Sequence, residues 1–310
     1  MSEHLPLVAI VGPTAVGKTA LAIRLAQELD GEIVSADSRQ VYRYMDIGTA
    51  KPTYAERQQT RHHLIDILDP GQTLTLAEFQ AAAYSAIDGI HRAGRLPLLV
   101  GGTGQYVRAI IEGWNVPPVA PLPALRADLE SFADIYSSLA LHQWLATVDP
   151  ASGAATDYRN VRRAVRALEV YIASGQPFSQ LRVRRAPPYR VLQIGLTRPR
   201  DRLYERVDRR VDEMIGAGLV TEVERLLGQG YTAEMPALSS LGYPQIVAYL
   251  RHELTLMEAI AEIKRATRRF IRHQANWFRL SDPAICWFDL ETARAEDVVD
   301  FIRGWLRGEA

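Results

Sequence analysis

Only one cysteine, Cys286, occurs in the 310 residues, which excludes an internal disulfide and a zinc site built from thiolates alone. Long apolar runs are missing too. The longest are strand-length, well short of the roughly 20 residues that a membrane-crossing helix needs. The N-terminus lacks the charged, apolar and small-residue succession of a secretion signal, and Leu7 to Val11 reads as part of the fold. These absences lead us to expect a cytoplasmic protein with no membrane association. No repeat or low-complexity segment is evident. Net charge is also absent, but the zero total conceals a division. Residues 1–158 hold 11 Lys/Arg against 17 Asp/Glu, residues 159–280 hold 22 against 12, and residues 281–310 hold 3 against 7. The middle block is therefore strongly basic, with a cluster at Arg159, Arg162, Arg163 and Arg166. Such a block is either a polyanion-binding surface or a set of solvated helix faces.

What is present is led by the octapeptide Gly12-Pro13-Thr14-Ala15-Val16-Gly17-Lys18-Thr19. It has the P-loop spacing of Gly, four residues, Gly, Lys and Ser/Thr. The apolar run Leu7 to Val11 enters it as a buried strand, and Ala20 to Ala26 leaves it as a helix. In that context the loop amides and the helix N-terminus converge on an anion. Lys18 reaches for the terminal phosphate oxygens, and the Thr19 hydroxyl is the expected ligand of a Mg²⁺ ion. The pattern predicts a bound diphosphate without saying which molecule carries it.

Strand and helix patterns alternate through the first hundred residues. Glu32 to Ala36 reads as a strand delivering Asp37-Ser38-Arg39-Gln40, and residues 63–68 as a third strand candidate. Leu76 to His91 reads as an amphipathic helix, and Leu96 to Val100 as a strand emptying into Gly101-Gly102-Thr103-Gly104. The alternation predicts an α/β fold, with a parallel P-loop sheet flanked by helices. Ligands of such sheets sit at the carboxyl ends of the strands, so one crevice can hold Lys18, Asp37 and Thr103. Four prolines between Pro117 and Pro123 mark a break, and helical patterns follow it. Residues 114–188 thus read as an inserted, mostly helical subdomain, with residues 1–113 and 189–310 forming the core. A long helix is expected over about Leu256 to Leu280, with Gln274 and Trp277 on its apolar stripe.

A nucleotide-hydrolysing motor usually ends an apolar strand in an acid that holds magnesium. Here the best such strand ends in the neutral Gly101-Gly102-Thr103, with Asp66 as a fallback carboxylate. Asp37 fits two roles, a general base facing substrate or the N-cap of a helical turn. Thr103 likewise reads as a helix N-cap or as a hydrogen-bonding group in the crevice. His62 and His63 point to opposite faces of a strand and make no zinc constellation. Residues 46–52 read as a substrate-facing loop or a plain connection.

Taken together, these stretches resemble the tRNA dimethylallyltransferase family. The resemblance rests on Gly12 to Thr19, Ser35 to Tyr42, Met45 to Pro52, Leu98 to Tyr106, Arg163 to Val170 and Leu241-Gly242-Tyr243, in the family's order across most of the chain. It implies transfer of a dimethylallyl group from dimethylallyl diphosphate to the exocyclic amine of the adenine 3′ of the anticodon, in tRNAs reading codons that begin with U. The P-loop would then hold the diphosphate leaving group, with Asp37 as base and Thr103 near the reacting centre. The resemblance also implies contacts from Asp37, Ser38, Arg39, Gln40, Thr103, Arg126, Arg162, Arg163, Ala164, Val165 and Arg166 to the tRNA anticodon stem-loop. Two departures stand out. Ser239 occupies a position where some relatives carry an arginine, and Pro244 one where a basic residue is common. The rival readings are a P-loop kinase acting on a small metabolite or nucleoside, and a nucleotide-switched RNA-binding protein.

Overall fold

The computed structural model describes residues 4–117, 119–182 and 186–309. In chain order the elements begin with β1 (Leu5–Val11), α1 (Lys18–Glu28), β2 (Gly31–Ser35), α2 (Tyr54–Gln59) and β3 (His62–His63). Next come α3 (Leu76–Arg92), β4 (Leu96–Val100), α4 (Gly104–Ile111), α5 (Pro123–Tyr136), α6 (Ser138–Val148), α7 (Pro150–Ala155), α8 (Val161–Ser174) and α9 (Phe178–Leu181). The rest are β5 (Tyr189–Thr197), α10 (Arg200–Gly216), α11 (Leu219–Gly228), α12 (Tyr243–Leu250), α13 (Leu256–Gln274), β6 (Ile285–Asp289) and α14 (Ala295–Arg307). A 3-10 turn over Pro236–Ser239 precedes α12. No helix among the described residues is long and apolar enough to cross a membrane.

The chain divides into two compact units. The first holds Met1–Leu74, Glu78–Ile111 and Pro188–Ala310, the second Thr75–Ala77 and Glu112–Pro187. In the first, six strands form one sheet in the order β3-β2-β4-β1-β5-β6, and every pairing is parallel. The α/β expectation therefore holds. Strands covered on both faces are apolar throughout rather than alternating, as Leu-Val-Ala-Ile-Val in β1 and Leu-Pro-Leu-Leu-Val in β4 show. Val8, Ile10, Leu98 and Leu99 are wholly buried, each contributing about 1.5–3 kcal/mol. The chain goes from β1 to β2 and β4 on one side of β1, and β5 pairs on the other. That reversal opens a crevice beyond the carboxyl end of β1.

Two expectations are corrected. Of the third strand candidate only His63 joins a strand, β3, and Leu68 makes an isolated bridge to Tyr42, because Leu64 (φ 63°) and Asp66 (φ 57°) take left-handed backbone that breaks a ladder. Asp66 thus ends no strand. Its carboxylate instead pairs with Lys51 and Arg57, each at 2.6 Å. The long C-terminal helix stops at Gln274 rather than near Leu280. There the amides of Asn276 and Trp277 turn to acceptors three residues back, tightening the last turn.

The second unit is helical. Leu129, Leu141, Leu145, Val165 and Leu168 form a core of their own. Asn160 caps α8 by accepting the Arg163 amide, and Gly175 ends that helix in left-handed backbone.

Candidate active site

The P-loop joins β1 to α1 through Gly17, whose φ of 118° suits glycine and lets the chain turn sharply into the helix. Two arginines grip the outside of this loop. Arg206 Nε donates to the Ala15 carbonyl at 2.7 Å, and Arg198 Nε to the Val16 carbonyl at 3.0 Å. The amides of Gly17, Lys18 and Thr19, at the helix N-terminus, make no backbone hydrogen bond among the described residues. They and the helix dipole are therefore available to an anion. Lys18 Nζ folds back onto the carbonyls of Gly12 (2.9 Å) and Pro13 (2.8 Å). Burial pushes its pKa down to about 8, against the pull of Asp37, and Arg210 adds to the fall.

Lys18, Asp37 and Thr103 line one cavity of about 490 Å³, as do Thr14, Ser38 and Arg39. The crevice predicted for Lys18, Asp37 and Thr103 is thus present. Asp37 Oδ1 accepts the Arg39 amide at 2.8 Å, the short turn that its N-cap reading anticipates. Its Oδ2 has no hydrogen-bond partner among the described residues, so one oxygen orients the carboxylate and the other remains open to substrate. Thr103 settles differently. Its Oγ1 accepts the Ser38 amide at 3.1 Å instead of capping α4 with the side chain. Gln40 spends its amide on the carbonyls of Thr49 and Ala50, at 3.4 and 3.2 Å, steadying another wall of the cavity.

Three contributors escape sequence reasoning. Arg210 adds a third cation to Lys18 and Arg39 in the cavity, and burial followed by the neighbouring Arg206 pushes its pKa down. It lies three residues after Val207 and one before Val211, both buried on the inner face of α10, so helical spacing could have located it. Ser239 also lines the cavity, but its hydroxyl is spent on the Pro236 carbonyl at 2.6 Å. Gln274 is the second. Its Oε1 accepts the Thr14 amide at 2.8 Å, and its Nε2 donates to the Gly102 carbonyl at 3.0 Å. Gly102 accommodates that approach, since a Cβ there would stand 2.3 Å from Nε2.

Glu222 is the third, buried on α11. Its carboxylate accepts the amides of Asp46 (2.8 Å), Ile47 (2.8 Å) and Gly48 (3.0 Å) and the Tyr243 hydroxyl (2.7 Å). This bond joins residues 46–52 to the Leu241-Gly242-Tyr243 stretch. Burial, then the Glu222 charge, pushes the Tyr243 pKa up, so the hydroxyl stays a donor. Glu222→Ala orphans four donors at once and is expected to cost about 3–5 kcal/mol, read from the urea midpoint at unchanged slope.

In the second unit, Arg126 and Arg166 converge on Glu169, whose side chain is fully buried. Arg126 forks onto it at 2.8 and 2.9 Å, and Arg166 Nη1 reaches it at 2.5 Å. Burial alone would raise the Glu169 pKa, but Arg126, the Leu122 amide and Arg166 hold it below the usual range. Arg162 and Arg163 are exposed, while Ala164 and Val165 are packed in the core. Along Arg162 to Arg166 the outward-facing groups are therefore arginines.

A P-loop whose Lys18 shares one cavity with Arg39, Arg210 and the Asp37 carboxylate has the make-up of a P-loop enzyme suited to a phosphorylated donor. The family model described as IPP transferase matches residues 40–281, and the chain belongs to that family. It is 53% identical to the tRNA dimethylallyltransferase of Thermomicrobium roseum over 94% of this chain and 88% of that one. Among solved structures, the tRNA isopentenylpyrophosphate transferase of Bacillus halodurans is similar at 41% identity and a TM-score of 0.74, covering 99% of this chain and 98% of that one. A eukaryotic dimethylallyltransferase solved acting on tRNA shares the fold at 24% identity and a TM-score of 0.85, covering 99% and 80%.

Proposed function

We propose that this protein transfers a dimethylallyl group from dimethylallyl diphosphate to the N6 amine of the adenine 3′ of the anticodon, in tRNAs reading codons that begin with U. The observation that carries the reading is the shared cavity, with Lys18 at one strand end and Asp37 and Thr103 at two others. The family supports prenyl transfer over phosphoryl transfer. The neutral end of β4 supports the same choice, because it offers no carboxylate for a nucleotide's magnesium.

In this reading the adenine N6 attacks the allylic C1 as the C1–O bond breaks, and that electron pair leaves with the diphosphate. The lone pair of N6 is delocalised into the ring, so the amine is a weak nucleophile until its proton is taken. Asp37 Oδ2 takes that proton. Lys18, Arg210 and the amides at the start of α1 meet the charge growing on the departing oxygens. Thr103 keeps Ser38, and through it the Asp37 turn, against the end of β4. An adenine stacked in an anticodon loop cannot reach this crevice, so it enters extruded.

No group of three or more His, Cys, Asp or Glu able to hold a metal occurs among the described residues. The Thr19 hydroxyl, directly after Lys18, would hold a Mg²⁺ ion together with oxygens of the diphosphate itself, hard donors that suit it. When bound, that ion would neutralise diphosphate charge. Arg162 and Arg163, exposed on α8, are proposed to meet the tRNA backbone, in keeping with a cytoplasmic enzyme on free tRNA.

The test is mass analysis of nucleosides after mixing the protein, Mg²⁺, dimethylallyl diphosphate and unmodified tRNA. A dimethylallyl-adenosine is expected, at the position after the anticodon. Phosphoryl transfer from ATP to a small acceptor in the absence of RNA would replace this reading with a kinase. Arg162→Ala combined with Arg163→Ala should weaken tRNA binding and shallow its salt dependence by about 1–2 in log–log slope.

A further inference from the structure

We infer that Gln274 is a positioning residue for this transfer, setting the spacing between the diphosphate cradle and the loop beside the base. The inference rests on the function proposed above. Gln274 is 4% exposed, and both ends of its amide are engaged. Thr14, which it receives from, is the third residue of the cradle. Gly102, which it donates to, immediately precedes Thr103, and Thr103 holds the Ser38 amide next to Asp37. One planar side chain thus spans from the seat of the leaving group to the seat of the proton acceptor.

The chemistry of the bridge calls for an amide. One end must accept and the other must donate at once, on a buried side chain at the cavity wall. A carboxylate of the same shape keeps the Thr14 contact but sets two acceptors face to face at Gly102. An apolar side chain serves neither partner. The last turn of α13 carries the bridge, and Phe270 and His273 of the same turn line the cavity. The amide therefore also fixes the register of that helix against both loops. A loop displaced by about 1 Å at such a spacing costs about 10²-fold in rate.

The experiment compares wild-type protein, Gln274→Glu and Gln274→Met for prenyl transfer to unmodified tRNA across pH. Thermal midpoints and tRNA affinity serve as checks that each variant is folded. At about pH 8 Gln274→Glu should lose about 10²-fold in kcat, with KM for the prenyl donor changed far less. Towards about pH 6 the ratio of its kcat to that of wild type should climb. The introduced carboxyl, buried against a carbonyl, takes up a proton and donates to Gly102 again. Gln274→Met should show the loss without the recovery. A Gln274→Glu protein with wild-type kcat at pH 8, or with the same deficit at every pH, overturns the inference. An inactive wild type overturns the functional reading and this inference with it. Active wild type beside an indifferent Gln274→Glu overturns this inference alone.

Discussion

Asp37→Asn is expected to lower turnover by about 10²–10⁴, the usual contribution of a general base, with tRNA affinity nearly unchanged. The expectation is sharp because the substitution is local. An asparagine oxygen still accepts the Arg39 amide, now bonded at 2.8 Å, so the turn and the Ser38–Thr103 contact persist. What is lost is a site that can hold a proton on the oxygen facing the cavity. Single-turnover rates with saturating tRNA and donor report that step directly. Turnover within twofold of wild type would remove Asp37 from its assigned role.

Lys18→Ala is the second large effect. Its ammonium lies against the Gly12 and Pro13 carbonyls and must swing onto an incoming diphosphate. Removing it deletes a cation that strengthens as charge leaves C1, so kcat and kcat/KM should both fall, by about 10²–10³-fold. A pH dependence accompanies this in the wild type. Burial sets the Lys18 pKa to about 8, so the ammonium form dominates below that pH and the neutral amine above it. A bound diphosphate pulls the proton back on, since an anion favours the charged form. Donor KM should therefore rise as pH climbs through about 8 and stay flat below it. Lys18→Ala should lack that rise. A flat wild-type KM from pH 7 to 10 would disconnect the lysine from donor binding.

The site was legible where a local backbone pattern dictates it. The strand, loop and helix around Gly12 to Thr19 are consecutive in sequence, and glycine at position 17 is demanded by its own φ. Asp37 and Thr103 were legible for a related reason. Apolar runs predict parallel strands, and parallel strands bring their carboxyl ends to one edge. Residues 63–68 misled because apolar content alone cannot register left-handed backbone at Leu64 and Asp66. Gln274 sat on an apolar stripe and read as core. It is buried as core residues are, yet both ends of its amide engage loops far away in sequence.

Local order along the chain was thus sufficient to determine the α/β class, the phosphate-gripping turn and the residues at three strand ends. Each of these depends on neighbours within a few positions. The tertiary structure decided that Arg210, which helical spacing by itself only places near the inner face of α10, reaches the cavity where Ser239 cannot supply charge. It also decided that Glu222 tethers residues 46–48 and that Gln274 bridges two loops. Those contacts join positions more than 170 residues apart, and no periodicity in a sequence encodes which distant amide will meet which carboxylate. Burial makes them specific, because a polar group sealed from water must find a partner wherever the fold provides one.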